Sequence, residues 1–246
     1  MVTIQCGAVT FEQIQAVIFD KDGTLADVQD YLRNLGQKRA RLIDAQIPGV
    51  QDPLLMAFGF ESDRLNPYGL LAVGTRQENE IAAAAYVAET GRDWIAALSL
   101  VRSAFDEADK VLKRKADSTP LFEGVIPTLQ TLSQAGVAIG ILSSDTLANV
   151  QDFIDRYELG AFIQLSQGAV DGLSKPDPAV LLQASQSLGI SATSILVVGD
   201  SAADIEMAKA AKAAGSVGVT WNRRHVGTLA MADVLISQLT DIQVQP

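Results

Sequence analysis

The sequence predicts an α/β protein built on a Rossmann-like, doubly wound parallel sheet, with an all-helical domain inserted after the first strand. From about residue 119 onward, short continuous apolar runs alternate with helical segments, which is the pattern of strands covered on both faces and joined by helical crossovers. Residues 26–118 contain no such run and carry alanine and leucine at helical spacing. We therefore expect a core domain of residues 1–25 and 119–246 and an inserted helical domain of residues 26–118.

The predicted strands are short apolar runs, too continuous for amphipathic helices. The first is the run of residues 16–19 in AVIFDKDGTLAD, which ends directly before two aspartates separated by one residue. Strands joined by helical crossovers pair in parallel, because each crossover returns the chain to the end of the sheet where it started. The other predicted strands are residues 137–142, 195–198, 217–221 and 234–236, with a weaker candidate at 161–165.

Helices between these strands are predicted from their start and stop residues. Proline is favoured in the first turn of a helix, and glycine is favoured just past its last residue. The segment that starts at Pro176 ends at Gly189 in this way, and residues 146–159 and 202–214 each stop before a glycine. Each of these helices separates two predicted strands.

The inserted domain is predicted to consist of packed helices. Apolar residues step by four and three from Trp94 to Leu112, which is the spacing of a helix–helix seam, so we expect Trp94 in the core of this domain. A similar line over residues 28–42 is interrupted by Arg39, which we expect at a solvated flank because arginine is rarely buried. The alternatives are a substrate platform at Trp94 and a substrate carboxylate bound by Arg39. Further helices are predicted at residues 50–58 and 77–90.

Composition indicates a globular protein with an acidic surface. Apolar residues make up 48% of the 246 residues, and charged residues make up 20%. The 19 basic and 29 acidic residues give a net charge of −10, which argues against nucleic-acid and anionic-membrane partners because both are bound by basic surfaces. An anionic substrate must therefore be held by local positive charge.

Few residues are available for thiol or imidazole chemistry. Cys6 and His225 are the only residues of their types, so an internal disulfide and a multi-histidine metal site are excluded. The apolar runs fall short of the roughly 18 residues that span a bilayer, and the first residues lack a signal-peptide pattern. We expect a cytoplasmic protein without a membrane partner, present as a monomer or homodimer, with His225 at its surface.

Polar side chains follow several of the predicted strands, and in a doubly wound sheet ligands bind outside the carboxyl ends of the strands. Taken one at a time, an aspartate or serine at such a place is commonly a helix cap, and a lone lysine is commonly solvated. An acid in a first helical turn complements the helix dipole. Their joint occurrence favours a functional site. These residues are Asp20, Asp22, Ser143, Ser144, Lys175, Asp200 and Asp204.

Four segments resemble the motifs of the haloacid dehalogenase superfamily of phosphohydrolases, namely VIFDKDGTL, IGILSS, SKPDP and VVGDSAAD. Their order and spacing cover the whole predicted core, and the helical insertion resembles the cap domain of that family. Trp221, in VGVTWN, looks like the last-strand signature of phosphoglycolate phosphatase-type members. The chain departs from the pattern at residues 143–144, where many members have Thr-Asn, and at Asn222, where that subgroup often has glycine.

Phosphate-ester chemistry accounts for these residue types. Phosphomonoester hydrolysis is among the slowest uncatalysed reactions, and a carboxylate approaches a dianionic phosphate only when a cation screens the repulsion. Mg²⁺ prefers oxygen ligands, usually one or two carboxylates together with substrate phosphate. We therefore predict a Mg²⁺ cofactor held by Asp20 and Asp200, and the resemblance implies that the backbone carbonyl of Asp22 is a further ligand.

With the family motifs in place, each matched residue has a predicted role. Asp20 is the predicted nucleophile, which forms an aspartyl-phosphate. Asp22 is the predicted acid that protonates the leaving oxygen and then activates water. Gly23 allows a tight turn whose N–H groups face the phosphate. Contacts to the phosphate are predicted for Ser143, Ser144 and Lys175, and Asp204 is predicted to lie behind the metal ligands rather than to bind the metal directly.

The predicted function is that of a Mg²⁺-dependent phosphatase for a small phosphorylated metabolite, with phosphoglycolate as a candidate substrate. The helical insertion is expected to close over the site and to select the leaving group. Two alternatives stay open. A phosphomutase of the same superfamily uses the same residues, and a catalytically silent phosphate- or metabolite-binding protein is the alternative outside enzymes, although unpaired buried carboxylates count against it.

Overall fold

The computed structural model describes residues 1–62, 64–112, 114–170, 172–221 and 227–245. Within these residues the strands are β1 (Val2–Cys6), β2 (Val9–Ile14), β3 (Ala16–Phe19), β4 (Phe60–Glu61), β5 (Arg64–Leu65), β6 (Ala138–Leu142), β7 (Leu165–Gln167), β8 (Ile195–Gly199), β9 (Gly215–Val219), β10 (Val234–Ile236) and β11 (Ile242–Gln245). The helices are α1 (Gln29–Asp44), α2 (Gln51–Phe58), α3 (Leu70–Val73), α4 (Arg76–Glu89), α5 (Trp94–Val111), α6 (Val125–Gln134), α7 (Leu147–Arg156), α8 (Pro178–Leu188) and α9 (Ala202–Ala210).

The chain divides into two compact units, one of residues Met1–Asp27 and Pro120–Pro246 and one of residues Val28–Thr119. The first unit holds a six-stranded sheet in the order β10-β9-β8-β3-β6-β7, in which every pairing is parallel. Every residue of β3 and β8 is buried, as expected for central strands covered on both faces. The predicted fold class is confirmed.

Helices α8 and α9 cover one face of this sheet with small and branched apolar side chains. Leu181 and Ala184 of α8 and Met207 and Ala208 of α9 belong to a buried cluster with Ile18 and Val197 of the sheet. Burial of the leucine, isoleucine, valine and methionine side chains stabilises the fold by about 1.5–3 kcal/mol each. The sheet is therefore a rigid base for the side chains that follow β3 and β8.

A second sheet of three antiparallel strands, in the order β11-β1-β2, joins the two ends of the chain. Residues 3–6 pair with residues 242–245. The sequence analysis predicts no strand in either segment, because the predicted strands are continuous apolar runs, whereas VTIQC and IQVQ alternate apolar with polar residues as half-buried strands do. Its stability comes from a partner more than 230 residues away, which local sequence patterns do not reveal.

Some predicted boundaries are wrong by a few residues. The strand predicted at 217–221 is β9, which begins at Gly215 and ends at Val219. The weak strand candidate at 161–165 is misplaced. A turn of 3-10 helix covers Leu159–Ala161, and the strand β7 begins only at Leu165. Helices α7, α8 and α9 are shorter than predicted. In α8 the reason is Asp177, which caps the helix by accepting a hydrogen bond from the Ala179 N–H, so that the helix begins only at Pro178.

The second unit contains α1 to α5 and corresponds to the predicted helical insertion. Helix α5 buries Val101, Phe105 and Ala108 along one face, as the spacing predicted. Helix α4 begins at a capping box formed by Thr75 and Glu78. The strands β4 and β5 form a two-residue antiparallel pair that the sequence analysis did not predict.

Two predictions about this unit are wrong. Arg39 is only 6% exposed rather than solvated. Its guanidinium pairs with Asp109 at 3.3 Å and lies 4.1 Å from the centre of the Phe105 ring. Trp94 is 44% exposed rather than part of the core, because it is the first residue of α5 and the seam closes only further along the helix.

No helix in the described part of the chain is both long and apolar enough to cross a membrane.

Candidate active site

Two aspartates lie at the carboxyl ends of adjacent central strands. Asp20 follows β3, and Asp200 follows β8, which pairs with β3 in parallel so that Phe19 lies opposite Val198. The Asp20 N–H donates a hydrogen bond to the Val198 carbonyl at 2.9 Å, so the ladder continues to the aspartate itself. Asp20 is 9% exposed and Asp200 is 8% exposed.

The loop after Asp20 turns back tightly on itself. The Gly23 N–H donates to the Ala26 carbonyl, and the N–H groups of Leu25 and Ala26 donate to the Lys21 carbonyl, all at 2.9 Å. Gly23 has a φ of +90°, and a Cβ atom there would lie 2.2 Å from Oδ2 of Asp200. Glycine is required by both the backbone conformation and this close approach.

Lys175 joins Asp20 to Asp204 through its ammonium group. Its Nζ donates to Oδ1 of Asp20 at 2.7 Å and to Oδ1 of Asp204 at 2.6 Å. The lysine side chain is only 5% exposed. The segment before α8 thus brings a cation to the end of the sheet, 155 residues along the chain from Asp20.

Asp204 lies in the first turn of α9 and is 1% exposed. It forms a capping box with Ser201, whose hydroxyl donates to Oδ2 of Asp204 at 2.6 Å. Lys175 binds the other carboxylate oxygen. Both oxygens of Asp204 therefore have a partner from the protein, which supports the predicted place of this residue behind the metal ligands.

The electrostatics of the site are dominated by burial and by this lysine. Burial, together with the neighbouring carboxylate of Asp204, raises the pKa of Asp20 to about 7 against the opposing charge of Lys175. Burial disfavours the charged form of Lys175, but the carboxylates of Asp20 and Asp204 outweigh it and hold the pKa of the ammonium above its ordinary value. Further positive charge at this place would favour ionised Asp20.

The donor set fits a divalent cation. Carboxylate oxygens of Asp20, Asp200 and Asp204 all lie within 4.8 Å of one another, and oxygen is the donor that Mg²⁺ prefers. The buried charge of Asp20 is incompletely compensated by protein groups, as its raised pKa indicates. Both oxygens of Asp204 accept hydrogen bonds from Lys175 or Ser201, which agrees with the prediction that Asp20 and Asp200 hold the ion and that Asp204 lies behind them.

Asp22 contacts a lysine that the sequence analysis missed. The ammonium of Lys21 donates a hydrogen bond to the Asp22 carboxylate and pairs with Asp145 at 3.1 Å, while the Lys21 side chain is only 1% exposed. The sequence did contain a sign of this contact, because Lys21 lies between the two predicted site aspartates Asp20 and Asp22. Every residue of so tight a loop lies close to the site.

The predicted phosphate-binding serines follow β6, the neighbour of β3 on its other side. Ser143 is 7% exposed, and its hydroxyl accepts a hydrogen bond from the Asp145 N–H at 3.1 Å. Ser144 is half-buried. The structure places both serines at the same edge of the sheet as Asp20, and their contacts to phosphate stay predictions.

Trp221 contacts the loop that follows β3. Its indole Nε1 donates to the Gly23 carbonyl at 2.8 Å, across 198 residues of sequence. Its ring stacks on Phe122, with ring centres 4.0 Å apart and ring planes at 13°. Predictions about Asn222 and His225 lie outside the described residues.

A doubly wound sheet with aspartates at the ends of adjacent central strands, a buried lysine bound to one of them and a helical insertion after β3 defines a class of α/β hydrolases. Residues 14–212 match the family of haloacid dehalogenase-like hydrolases. The chain belongs to that family, and the predicted hydrolase is confirmed.

Among curated relatives, phosphoglycolate phosphatase from Escherichia coli (strain K12) is 28% identical over 236 residues, which cover 94% of this chain and 92% of the relative. The enzyme of the same name from Pseudomonas savastanoi is 28% identical over 222 residues, covering 87% of this chain and 75% of the relative. The predicted resemblance to phosphoglycolate phosphatases is confirmed at the level of sequence similarity.

Solved structures show the same fold. A predicted phosphoglycolate phosphatase from Haemophilus somnus is 18% identical, with a TM-score of 0.66 over 93% of this chain and 96% of that one. A 2-haloacid dehalogenase from Pseudomonas syringae is 19% identical, with a TM-score of 0.58 over 92% of this chain and 95% of that one. The fold is thus shared by enzymes whose names state different reactions, so the reaction has to be argued from the site.

Proposed function

We propose that the protein is a Mg²⁺-dependent phosphatase that hydrolyses a small phosphomonoester through an aspartyl-phosphate on Asp20. The observation that carries this proposal is the convergence of Asp20, Asp200 and Asp204 within 4.8 Å, with Lys175 bridging Asp20 and Asp204. This cluster of carboxylates and a lysine lies at the carboxyl end of a parallel sheet, where ligands bind. It suits phosphoryl transfer, because the transferred group carries negative charge throughout and needs nearby positive charge.

Asp20 is the proposed nucleophile. A carboxylate oxygen of Asp20 forms a bond to phosphorus as the bond from phosphorus to the ester oxygen breaks, and Asp22 gives its proton to that departing oxygen. In the second step Asp22 takes a proton from a water molecule, whose oxygen attacks phosphorus. The bond to Asp20 then breaks, which releases inorganic phosphate and restores both carboxyl groups.

The remaining residues bind the phosphoryl group. The ammonium of Lys175 is 2.7 Å from Asp20 and compensates negative charge as the phosphate approaches. Ser143 and Ser144 are the proposed hydrogen-bond donors to phosphate oxygens. The N–H groups of residues 23–26 donate to the Lys21 and Ala26 carbonyls within the turn, so the proposed role of Gly23 is to allow the turn and not to bind the phosphate. Local positive charge is necessary because the net charge of −10 repels an anionic substrate.

Asp20, Asp200 and the backbone carbonyl of Asp22 are the groups that would hold Mg²⁺. When bound, the ion supplies positive charge that allows a carboxylate to approach a phosphate dianion. Asp204 positions Lys175 through the 2.6 Å contact between them, and it supports the ligands without binding the ion.

Phosphoglycolate is the proposed substrate, because the curated relatives named phosphoglycolate phosphatase cover most of this chain. We further propose that residues 26–118 act as a cap that selects the leaving group, and that the enzyme works in the cytoplasm without a nucleic-acid or membrane partner. Whether it is a monomer or a homodimer stays a prediction.

The test is a phosphate-release assay over small organic phosphates, phosphoglycolate among them, with added Mg²⁺. We expect release of free phosphate by the wild-type protein and a loss of at least about 10³-fold in Asp20→Asn, which keeps the shape of the side chain but removes the nucleophile. A product that retains phosphate on another hydroxyl would identify a phosphomutase instead. No turnover of any compound by a folded wild-type protein would favour a silent binding protein.

A further inference from the structure

Trp221 has a backbone conformation that an aromatic residue rarely adopts. It lies two residues after β9, at the same end of the sheet as Asp20 and Asp200, and its φ is +47°. A bulky side chain with positive φ costs on the order of 1–3 kcal/mol and persists only where the surroundings enforce it. The contacts of the indole ring show what enforces it here.

The indole is held at its edge by the loop that carries Asp20 and Asp22, and on its face by a residue bound to that loop. At the edge, Nε1 donates to the carbonyl of Gly23, a buried residue, at 2.8 Å. On the face, the ring stacks on Phe122 at 4.0 Å, and the Phe122 N–H donates to the Leu25 carbonyl of the same loop at 3.0 Å. Trp221 and residue 122 therefore both hold the turn at residues 23–25.

The carbonyl bound by Trp221 belongs to the peptide group between Gly23 and Thr24, so the indole hydrogen bond sets the orientation of that group. Its N–H, on Thr24, donates to the Lys21 carbonyl at 3.4 Å. The Thr24 hydroxyl donates to Oδ1 of Asp200, also at 3.4 Å. The hydrogen bond from Trp221 thus orients the Gly23–Thr24 peptide group, and Thr24 in turn donates a hydrogen bond to Asp200.

We propose that Trp221 is a positioning residue for phosphoryl transfer, whose indole N–H holds the Gly23 carbonyl and thereby the placement of Asp22 relative to Asp20 and Asp200. This inference rests on the proposed function, because it assigns Trp221 an effect on the reaction of those aspartates. Trp221 acts through the loop and does not touch the reacting atoms.

The test removes the N–H and leaves the ring in place. The chain has two tryptophans, Trp94 and Trp221, so a Trp94→Phe protein made with β-(3-benzothienyl)alanine in place of tryptophan carries sulfur instead of N–H at position 221 only. The reference is the Trp94→Phe protein with ordinary tryptophan. Trp221→Phe is a second variant that retains an aromatic face for Phe122.

We expect kcat for phosphate release to fall by about tenfold in both variants, as loss of one hydrogen bond to a buried carbonyl would produce, with KM unchanged within about twofold. Binding of beryllofluoride with Mg²⁺, measured by calorimetry as a mimic of the aspartyl-phosphate, reports the site without turnover. We expect weaker beryllofluoride binding at an unchanged stoichiometry of about one per chain, since the site is misplaced but not lost.

Any other result overturns either the positioning role of Trp221 or the proposed function. An unchanged kcat in both variants would overturn the positioning role while leaving the phosphatase proposal intact. A fall in kcat that matches a fall in beryllofluoride stoichiometry, or loss of cooperative unfolding, would show that Trp221 only supports the fold. A wild-type protein that is folded but releases no phosphate would overturn the proposed function itself, and the inference with it.

Discussion

Lys175 is the residue on which the charge balance of the site depends. Its ammonium is the cation that bridges the buried carboxylates of Asp20 and Asp204. A buried carboxylate left without its partner is strongly unfavourable. The segment before α8, which carries Lys175, therefore holds Asp20 after β3 and Asp204 of α9 close together.

We therefore expect Lys175→Met to lower kcat by about 100-fold or more, because the phosphoryl group loses a positive charge. The free energy of unfolding should fall by about 3–5 kcal/mol, since breaking a buried pair leaves its charges uncompensated. Phosphate release and urea unfolding measure the two effects.

The matched control for this variant is Lys209→Met. Lys209 pairs with Asp233 at 3.1 Å, but its side chain is 38% exposed, and surface pairs contribute at most about 1 kcal/mol. Wild-type kcat in Lys175→Met would remove this lysine from the proposed mechanism.

At the level of secondary-structure elements, the turn after β3 depends on a glycine. In Gly23→Ala the new methyl group would lie 2.2 Å from Oδ2 of Asp200. We expect loss of most phosphatase activity, because the turn and Asp200 must separate, together with destabilisation of about 1–3 kcal/mol. Activity assays and thermal unfolding measure both effects.

Gly136→Ala separates the contact from the backbone strain. Gly136 has a φ of +72°, similar to the +90° of Gly23, but a Cβ atom there would lie within 4 Å of no atom in the described residues. This variant should lose about 1–2 kcal/mol of stability from strain alone and keep its activity. Equal activity losses in both variants would contradict an effect specific to Asp200.

The edge strand β10 is tied to β9 by Asp233. Its carboxylate accepts hydrogen bonds from the Ser216 N–H at 2.8 Å and the Ser216 hydroxyl at 2.7 Å. Partial burial opposes ionisation, but the hydrogen bonds from Ser216 and Lys209 outweigh it and hold the pKa of Asp233 below its ordinary value of 3.8. The ionised form is therefore bound more strongly in the folded protein than in the unfolded chain.

For a carboxyl group whose pKa is lowered by folding, the stabilisation is present above the unfolded pKa and is lost as the pH falls through the folded pKa. We expect Asp233→Asn to be less stable than the wild type at pH 7, with the difference shrinking as the pH falls below the ordinary aspartate pKa of 3.8. Urea midpoints measured from pH 7 to pH 3 check this, and a difference independent of pH would contradict it.

For the molecule as a whole, metal removal tests whether the convergent aspartates act as a cation site. We expect EDTA to abolish phosphate release and Mg²⁺ to restore it. At 100 times the dissociation constant, a bound ion stabilises the folded state by about 2.7 kcal/mol, so the melting temperature should rise by about 5–10 °C. Asp200→Asn should lose this rise. Turnover that persists without metal would point to another reaction.

Much of the fold could be predicted because it follows from local patterns. Continuous apolar runs identified β3, β6 and β8, and residues that follow such strands lie at one edge of a parallel sheet whatever the connecting loops do. The positions of Asp20 and Asp200 in the site follow from that rule alone. The family match over residues 14–212 agrees with it.

Other features could not be predicted, because they depend on contacts between distant residues. Arg39 looked like a solvated interruption of a helix face, yet Asp109 on α5 and the ring of Phe105 compensate its burial. The β1–β11 pair joins two short segments whose pairing across the length of the chain no local pattern reveals. Propensity is a weak guide wherever the stabilising partner lies elsewhere in the chain.

The sequence by itself determined most of the parallel strands, the helices α7, α8 and α9 between them, the helical insertion and the residues at the strand ends, since periodicity and end signals are local properties of the chain. Only the tertiary structure decided which charges face one another: that Lys175 joins Asp20 to Asp204, that Lys21 lies against Asp22, and that Trp221 holds the Gly23 carbonyl. Coulombic and hydrogen-bond energies depend on distance in space, and a separation of 155 or 198 residues along the chain places no limit on that distance.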